Sequence, residues 1–176
     1  MCLPIIHSGI CTLPFKTLWG GKIYLHSLEI INPKTQTTVE FGSPDDDADP
    51  FNSGARSSNN PEEKAQISKY FTMSNSKARY EYDFGDSWTH TIKLEKILPA
   101  VIGEKYPKCI AGKMACPPED CGGVWGYYHY LSVLKDPKHE DYEEMSEWMD
   151  EDFDPEKFDP IQVVFSDPKK RVRLDF

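Results

Sequence analysis

Tyr80-Glu81-Tyr82-Asp83-Phe84-Gly85-Asp86-Ser87-Trp88-Thr89-His90 is the stretch whose reading decides the fold. Ala78, Tyr80, Tyr82 and Phe84 alternate with Arg79, Glu81 and Asp83, the period of a half-buried strand. Gly85-Asp86 interrupts the run. Alternation resumes with Trp88, His90, Ile92 and Leu94 on one face and Thr89, Thr91, Lys93 and Glu95 on the other. Two such runs around a glycine-bearing break predict a β-hairpin. Gly85 is expected to supply a positive φ to the turn, while Asp83 and Asp86 are placed to accept hydrogen bonds from turn amides.

Working outward, residues 22–31 predict a strand with Tyr24, His26, Leu28 and Ile30 on one face. Asn32-Pro33-Lys34 is a turn and residues 35–41, rich in Thr and Val, return as a second strand. Residues 42–63 hold Asp45, Asp46, Asp47 and Asp49 among serines and asparagines, with few apolar groups to offset ordering, and predict a mobile acidic loop. The aspartates lack the Gly and distal Glu of a calcium loop. Asn60-Pro61-Glu62-Glu63 has the cap, first-turn proline and early acids of a helix start, with Ile67, Tyr70 and Phe71 facing inward. Residues 97–110 show no period. Trp125, Tyr128, Leu131 and Leu134 recur at helical spacing and predict a core stripe. Asp136-Pro137 ends that helix. A second helix follows, with Tyr142, Met145, Trp148 and Met149 inward and an acidic solvated face outward. Asp154-Pro155-Glu156 predicts a short helical turn, and residues 161–165 a last strand. The sum is an α+β fold: antiparallel hairpins forming one sheet packed against a few helices, in a single domain. Its organisation is a divergent segment at 1–21 followed by the domain at 22–176.

With 176 residues and 39% hydrophobic content, the chain is long enough for one sizeable core. A net charge of −9 argues against general binding to nucleic acid or an anionic membrane. Residues 169–173, Lys-Lys-Arg-Val-Arg, form the basic cluster, too short for more than weak, salt-dependent nucleic-acid binding. No run reaches the length of a membrane span. The odd count of five cysteines, with no secretory leader, points to a reduced, cytoplasmic protein.

Three of those cysteines carry the one metal-like pattern. Cys109, Cys116 and Cys121 are separated by six and four residues. Pro117-Pro118 stiffens the second interval, and Gly122-Gly123 lets the chain leave it at an unusual angle. Thiolates hold zinc at about 2.3 Å, so the ligands must converge from tight loops. His90 is the first candidate for a fourth ligand and His129 the second, which would close a structural Zn site. Without a Cys-x2-Cys pair, the alternative is three reduced thiols buried as small hydrophobes. A Cys116–Cys121 disulfide fits a reducing compartment less well.

Taken together, Tyr80–His90, L-E-K-I-L at 94–98, Y-P-K-C at 106–109, A-C-P-P-E-D-C-G-G-V-W-G at 115–126, D-F-D-P-E-K-F at 152–158 and V-F-S-D-P-K-K-R at 164–171 resemble the plasmid pRiA4b ORF-3-like family. The resemblance spans 22–176 and is most specific between 80 and 126. Leu25-His26-Ser27-Leu28 is similar to that family's L-H-x-F segment. The family's usual opening, a Pro-Pro-Ile-Trp-like strand and an apolar helix ending near Gly-Trp, is missing, with Thr17-Leu18-Trp19-Gly20 its remnant. Such a loss would expose a sheet edge and an apolar face, which residues 1–20 or a homodimer would have to cover. The resemblance implies an α+β domain of uncharacterised biochemistry, with resolvase-like or repressor-like labels on some members in plasmid and mobile-element contexts. In this sequence there is no evident recognition helix and no serine in a nucleophile motif to support those labels.

Three functions remain to be weighed. The first is a binding module for a protein or small-molecule partner, its surface built from Asp83, Asp86, Trp88, Glu119 and Asp120 beside the cysteine loop. The second is a metal-assisted hydrolase, with His26, His90, Asp83, Asp86 or Glu119 as ligands or general base. The third is nucleic-acid association through residues 169–173. No H-E-x-x-H, nucleophile elbow or phosphate loop commits the chain to a reaction.

Overall fold

The structure, a computed structural model, describes residues 4–5, 26–42, 65–148, 153–163 and 165. The elements in chain order are β1 (Pro4–Ile5), β2 (His26–Ile31), β3 (Thr38–Gly42), β4 (Lys77–Tyr82), β5 (Trp88–Lys93), β6 (Lys108–Cys109), α1 (Gly123–Val133) and α2 (Tyr142–Trp148). The α+β expectation holds. A four-stranded antiparallel sheet runs in the order β3-β2-β4-β5, and β1 pairs with β6 as a separate two-stranded ribbon. The short strand at Pro4–Ile5 lies in a segment whose sequence carried no readable signal.

Period-2 alternation sets the sheet's two faces. Register places Leu28 opposite Phe41 and Tyr80, Ile30 opposite Val39 and Ala78, Tyr80 opposite His90, and Tyr82 opposite His26 and Trp88. That face carries the core: Leu28, Ile30, Phe41, Phe71, Ala78, Tyr80, Tyr82 and Ile92. The other face is polar. Arg79 there bridges Glu29 at 3.5 Å and the buried Glu81 at 3.1 Å, and donates to Thr89 Oγ1 at 3.3 Å.

The β2–β3 connection forms as the sequence predicts. Asn32 Oδ1 accepts from Lys34 N at 2.9 Å, a side chain standing in for a turn carbonyl. Gln36 takes a φ of 59°, so strand pairing starts only at Thr38, three residues later than expected. Ile67, Tyr70 and Phe71 do pack on the core; Ile67–Lys69 form a 3-10 turn followed by Tyr70 and Phe71, and the predicted helix start at 60–63 lies outside the described residues. Asn75 fastens that turn to the end of β2, donating to Ile31 O at 2.5 Å and Tyr70 O at 2.8 Å.

Two expectations about apolar faces are corrected. The inner stripe of α1 is Gly123, Tyr127, Tyr130 and Val133, whereas Trp125 is 86% and Tyr128 64% exposed. Apolar residues ring this helix, so spacing alone could not fix which face turns inward. Residues 161–163 are not a strand. Pro160–Gln162 form a 3-10 turn capped by Asp159, whose Oδ1 accepts from Ile161 N at 2.9 Å, and Ile161 is 90% exposed. An Asp cap followed by proline favours a helical turn over extended chain. In α2, Tyr142 and Met145 are half-buried and Glu143, Glu144 and Glu147 exposed, as the pattern predicts. The predicted acidic loop beyond Gly42, the Met149 position and the basic cluster at 169–173 lie outside the described residues. No helix among the described residues is long and apolar enough to cross a membrane.

Candidate functional site

The β4–β5 turn is held by one carboxylate. Asp83 is buried and takes a φ of 54°, and its Oδ1 accepts from Gly85 N at 2.9 Å and Asp86 N at 3.4 Å. The left-handed positions are Asp83 and Ser87, not Gly85 as the sequence suggested. Gly85 is fitted for another reason: a Cβ there would stand 3.1 Å from Asp83 Oδ1 and crowd the acceptor. Ser87 closes the turn, its amide donating to Asp83 O at 2.6 Å and its hydroxyl to Glu81 Oε1 at 3.0 Å. Asp83 is therefore spent on the turn itself.

The segment from Cys116 to Gly123 folds onto this turn. The Tyr82 hydroxyl, from the core face of β4, donates to both oxygens of Glu119, at 3.0 and 3.2 Å. Asp120, Gly122 and Gly123, the last opening α1, all have positive φ, which curls the loop back into the helix. Gly123 is then pressed against the hairpin: a Cβ would lie 2.5 Å from Asp86 O. Gly126 is pressed against the loop, since a Cβ there would meet Cys121 O at 1.9 Å. These two close approaches fix the rotation of α1. They put Tyr127 under the turn, where its ring meets Trp88 edge to face with centroids 6.5 Å apart.

Two thiols sit inside this corner. Burial pushes Cys116 up to about 12, with the Glu119 carboxylate and then Cys121 adding to the effect. Cys116 is an exposed residue and Cys121 a half-buried one. Burial also pushes Cys121 up to about 11, and Asp86 is the next cause. Burial first, and then Cys121 and Cys116, raise Tyr127 above the ordinary phenol value. Burial and then Glu119 raise Tyr82 beyond the ordinary phenol range. At neutral pH both thiols keep their protons, and a thiol without thiolate character is a poor nucleophile. Two polar atoms of the corner are buried with no hydrogen-bond partner: Asp86 Oδ2 and the Tyr127 hydroxyl.

Of the five residues expected to build a binding surface, four meet here. Asp86, Trp88 and Glu119 are half-buried around the corner and Asp120 is exposed at its rim, while Asp83 lies beneath as support. Tyr82 and Tyr127 were missed. Tyr82 reads as an ordinary core residue of the alternation, and Tyr127 becomes visible only when the helix is phased from Gly122-Gly123.

The expected zinc ligand set is not assembled. Cys109 lies in β6 and is disulfide-bonded, so it offers no free thiolate. His90 stands beside Tyr80 in the sheet, ring centroids 5.9 Å apart, with its pKa lowered by burial first. His129, the alternative ligand, packs on His139 at 6.0 Å, on the exposed side of α1. Among the described residues no three His, Cys, Asp or Glu side chains converge so as to hold a metal ion. The disulfide also removes the ground on which the cysteine count pointed to a reducing compartment. His26, named for the hydrolase reading, is buried in β2, 5.8 Å from Tyr80.

Comparison with known proteins places this architecture. A solved structure from Methanosarcina mazei Go1, titled as the protein of unknown function MM3350, superposes with a TM-score of 0.76 at 45% identity, over 86% of this chain and 80% of that one. The uncharacterized protein y4hQ of Sinorhizobium fredii is 49% identical over 70 residues, 40% of this chain. The matched stretch is 36% of that relative's length. The family model described as plasmid pRiA4b ORF-3-like protein matches residues 18–162, a span that contains the hairpin, the cysteine loop and both helices. The chain belongs to the plasmid pRiA4b ORF-3-like protein family.

Proposed function

We propose that this chain is a binding module whose recognition point is the corner between the β4–β5 turn, the Cys116–Gly123 segment and the first turn of α1. The observation that carries the reading is Asp86 Oδ2, a carboxylate oxygen held out of water with nothing donating to it. Such an atom costs about 1–3 kcal/mol unless something satisfies it. A partner able to donate a hydrogen bond there recovers that cost on binding. The support beneath is rigid: Asp83 fixes the turn, Tyr82 fixes the loop and Gly123 fixes the helix against both. Polar groups on loops held by a stiff scaffold are the usual form of a recognition site.

The test is affinity recovery. The immobilised chain and its Asp86→Ala and Trp88→Ala variants are exposed to lysate of the cells that carry it. Matched circular dichroism and urea midpoints establish that the variants are folded. Loss of the same bound component in both variants is expected. Equal recovery by all three proteins overturns the assignment of this surface.

A further inference from the structure

The sheet ends at β5 in an open edge. Leu94 N donates to Ser76 O at 2.7 Å, and the same register pairs Ile92 with Ala78, His90 with Tyr80 and Trp88 with Tyr82. Antiparallel ladders alternate, so these even-numbered residues spend their backbone groups on β4. Thr89, Thr91 and Lys93 direct theirs the other way, off the end of the order β3-β2-β4-β5. All three residues are exposed. Among the described residues no backbone hydrogen bond reaches them from that side. An unpaired row of this kind is a template for another strand. The chain just beyond it exposes Ile97, Leu98, Val101 and Ile102.

We propose that two copies of this chain join edge to edge at β5, antiparallel about a two-fold axis at Thr91, so that one continuous sheet runs through the dimer. In this register Thr89, Thr91 and Lys93 meet the same three residues of the second copy. Thr91 faces Thr91, and each Lys93 faces a Thr89. On the core face each His90 faces an Ile92, and each Trp88 a Leu94. Hydroxyl meets hydroxyl, rings meet aliphatic groups and no like charges stand opposite, which are the favourable cross-strand pairs. Neighbouring registers do worse. An axis at Lys93 sets two ammonium groups against each other. An axis at His90 calls on the Ser87 amide, which already donates to Asp83 O. An axis at Ile92 pairs Thr89 with Glu95, beyond the end of β5. Carried past Leu94, the Thr91 pairing runs Ile97 and Leu98 toward Gly85 and Phe84 of the second copy, covering apolar surface that one copy leaves bare. A two-fold pairing also closes on itself and leaves no β5 edge free to recruit a third chain.

The test is analytical ultracentrifugation of the full chain. Each copy carries −9, so the salt is set at about 0.15 M, where charges are screened beyond about 8 Å. The parent is expected to sediment as a dimer that dissociates on dilution. Thr91→Pro removes an N–H that its own sheet does not use, and proline is tolerated on an edge strand. It should weaken association about tenfold or more. Thr91→Lys and Thr91→Glu each set like charges opposite one another and should sediment as monomers, while their equimolar mixture should recover the dimer. Circular dichroism matching the parent establishes that the variants are folded. Hydrogen exchange at the Thr89, Thr91 and Lys93 amides should slow as concentration rises. A parent that stays monomeric at millimolar concentration overturns the proposal. So does a dimer that survives Thr91→Pro and Thr91→Lys, since its interface lies on another face. Failure of the Lys and Glu variants to recover a dimer when mixed, with Thr91→Pro still monomeric, overturns the axis at Thr91.

Discussion

Replacing Tyr82 by phenylalanine removes one oxygen from a residue that is 1% exposed and leaves the packing volume otherwise unchanged. No cavity term therefore enters, and the cost is that of the hydroxyl's bond to Glu119. That bond runs to an ionised acceptor at 3.0 and 3.2 Å. Bonds to charged groups contribute about 1.5–3 kcal/mol. Glu119 is half-buried, so water can reach its carboxylate once the phenol is gone. The expected loss is therefore near the lower end, about 1.5 kcal/mol. With a urea slope of about 2 kcal/mol/M, the unfolding midpoint should fall by roughly 0.7 M. Glu119→Ala tests the same bond from the other side. If the bond is what couples loop to sheet, the double variant is less destabilised than the sum of the singles, by about 1 kcal/mol or more. A Tyr82→Phe midpoint within experimental error of the parent, with zero coupling to Glu119→Ala, would refute the claim that this contact pins the cysteine loop.

Gly126→Ala offers a sharper reversal of expectation. In an exposed helix interior it would gain about 1 kcal/mol from helix propensity. Here the new methyl meets the Cys121 carbonyl oxygen at 1.9 Å, and backbone cannot step aside as a side chain can. The variant should lose about 2 kcal/mol or more in urea unfolding. Gly103→Ala, with a φ of 86° but open space around it, should lose only about 1 kcal/mol. The thiols predict a dependence on alkaline pH. Their folded pKa values, about 12 and 11, lie above the ordinary 9.0, so the folded state holds protons that the unfolded chain releases. That contribution is complete below pH 9.0 and is lost as pH climbs toward 11 and 12. Urea midpoints should fall across this range, and the fall should be shallower for Cys116→Ala and Cys121→Ala. An equal slope in parent and variants would remove the thiols as its cause.

The sheet was legible because alternation is a strong signal when one face is buried: Tyr80, Tyr82, His90 and Ile92 fall on the predicted side. The helix α1 was found but turned the wrong way. Trp125 and Tyr128 are as apolar as Tyr127 and Tyr130, so no rule of pattern separates the two stripes. The deciding contacts are steric and non-local, Gly123 against Asp86 O and Gly126 against Cys121 O. A Gly-Gly pair announces close approach without saying to what. The same limit explains Gly85, whose missing Cβ serves the Asp83 acceptor rather than a positive φ. Among the described residues the expected metal ligands stand apart for a related reason. Spacing counts residues between cysteines but is blind to the pairing of β1 with β6, which carries Cys109 into a different ribbon.

The chemistry of the two free cysteines, Cys116 and Cys121, suits the place. Asp86 acts on the Cys121 thiol and Glu119 on the Cys116 thiol, each an acidic neighbour. A serine at the half-buried Cys121 would bring a hydroxyl that demands a partner where water is excluded. A thiolate would add a like charge next to a carboxylate, which is what the raised values oppose. A protonated thiol avoids both, since it behaves as a small hydrophobe with a weak donor. A negative corner backed by neutral, low-dielectric groups attracts a cation more strongly than the same carboxylates would in water. The thiols thus sharpen the field at Asp86 because they do not titrate near neutrality. Cys121→Lys tests that role directly: a fixed cation beside Asp86 should abolish recovery of the component that Asp86→Ala loses, even with the β4–β5 turn intact.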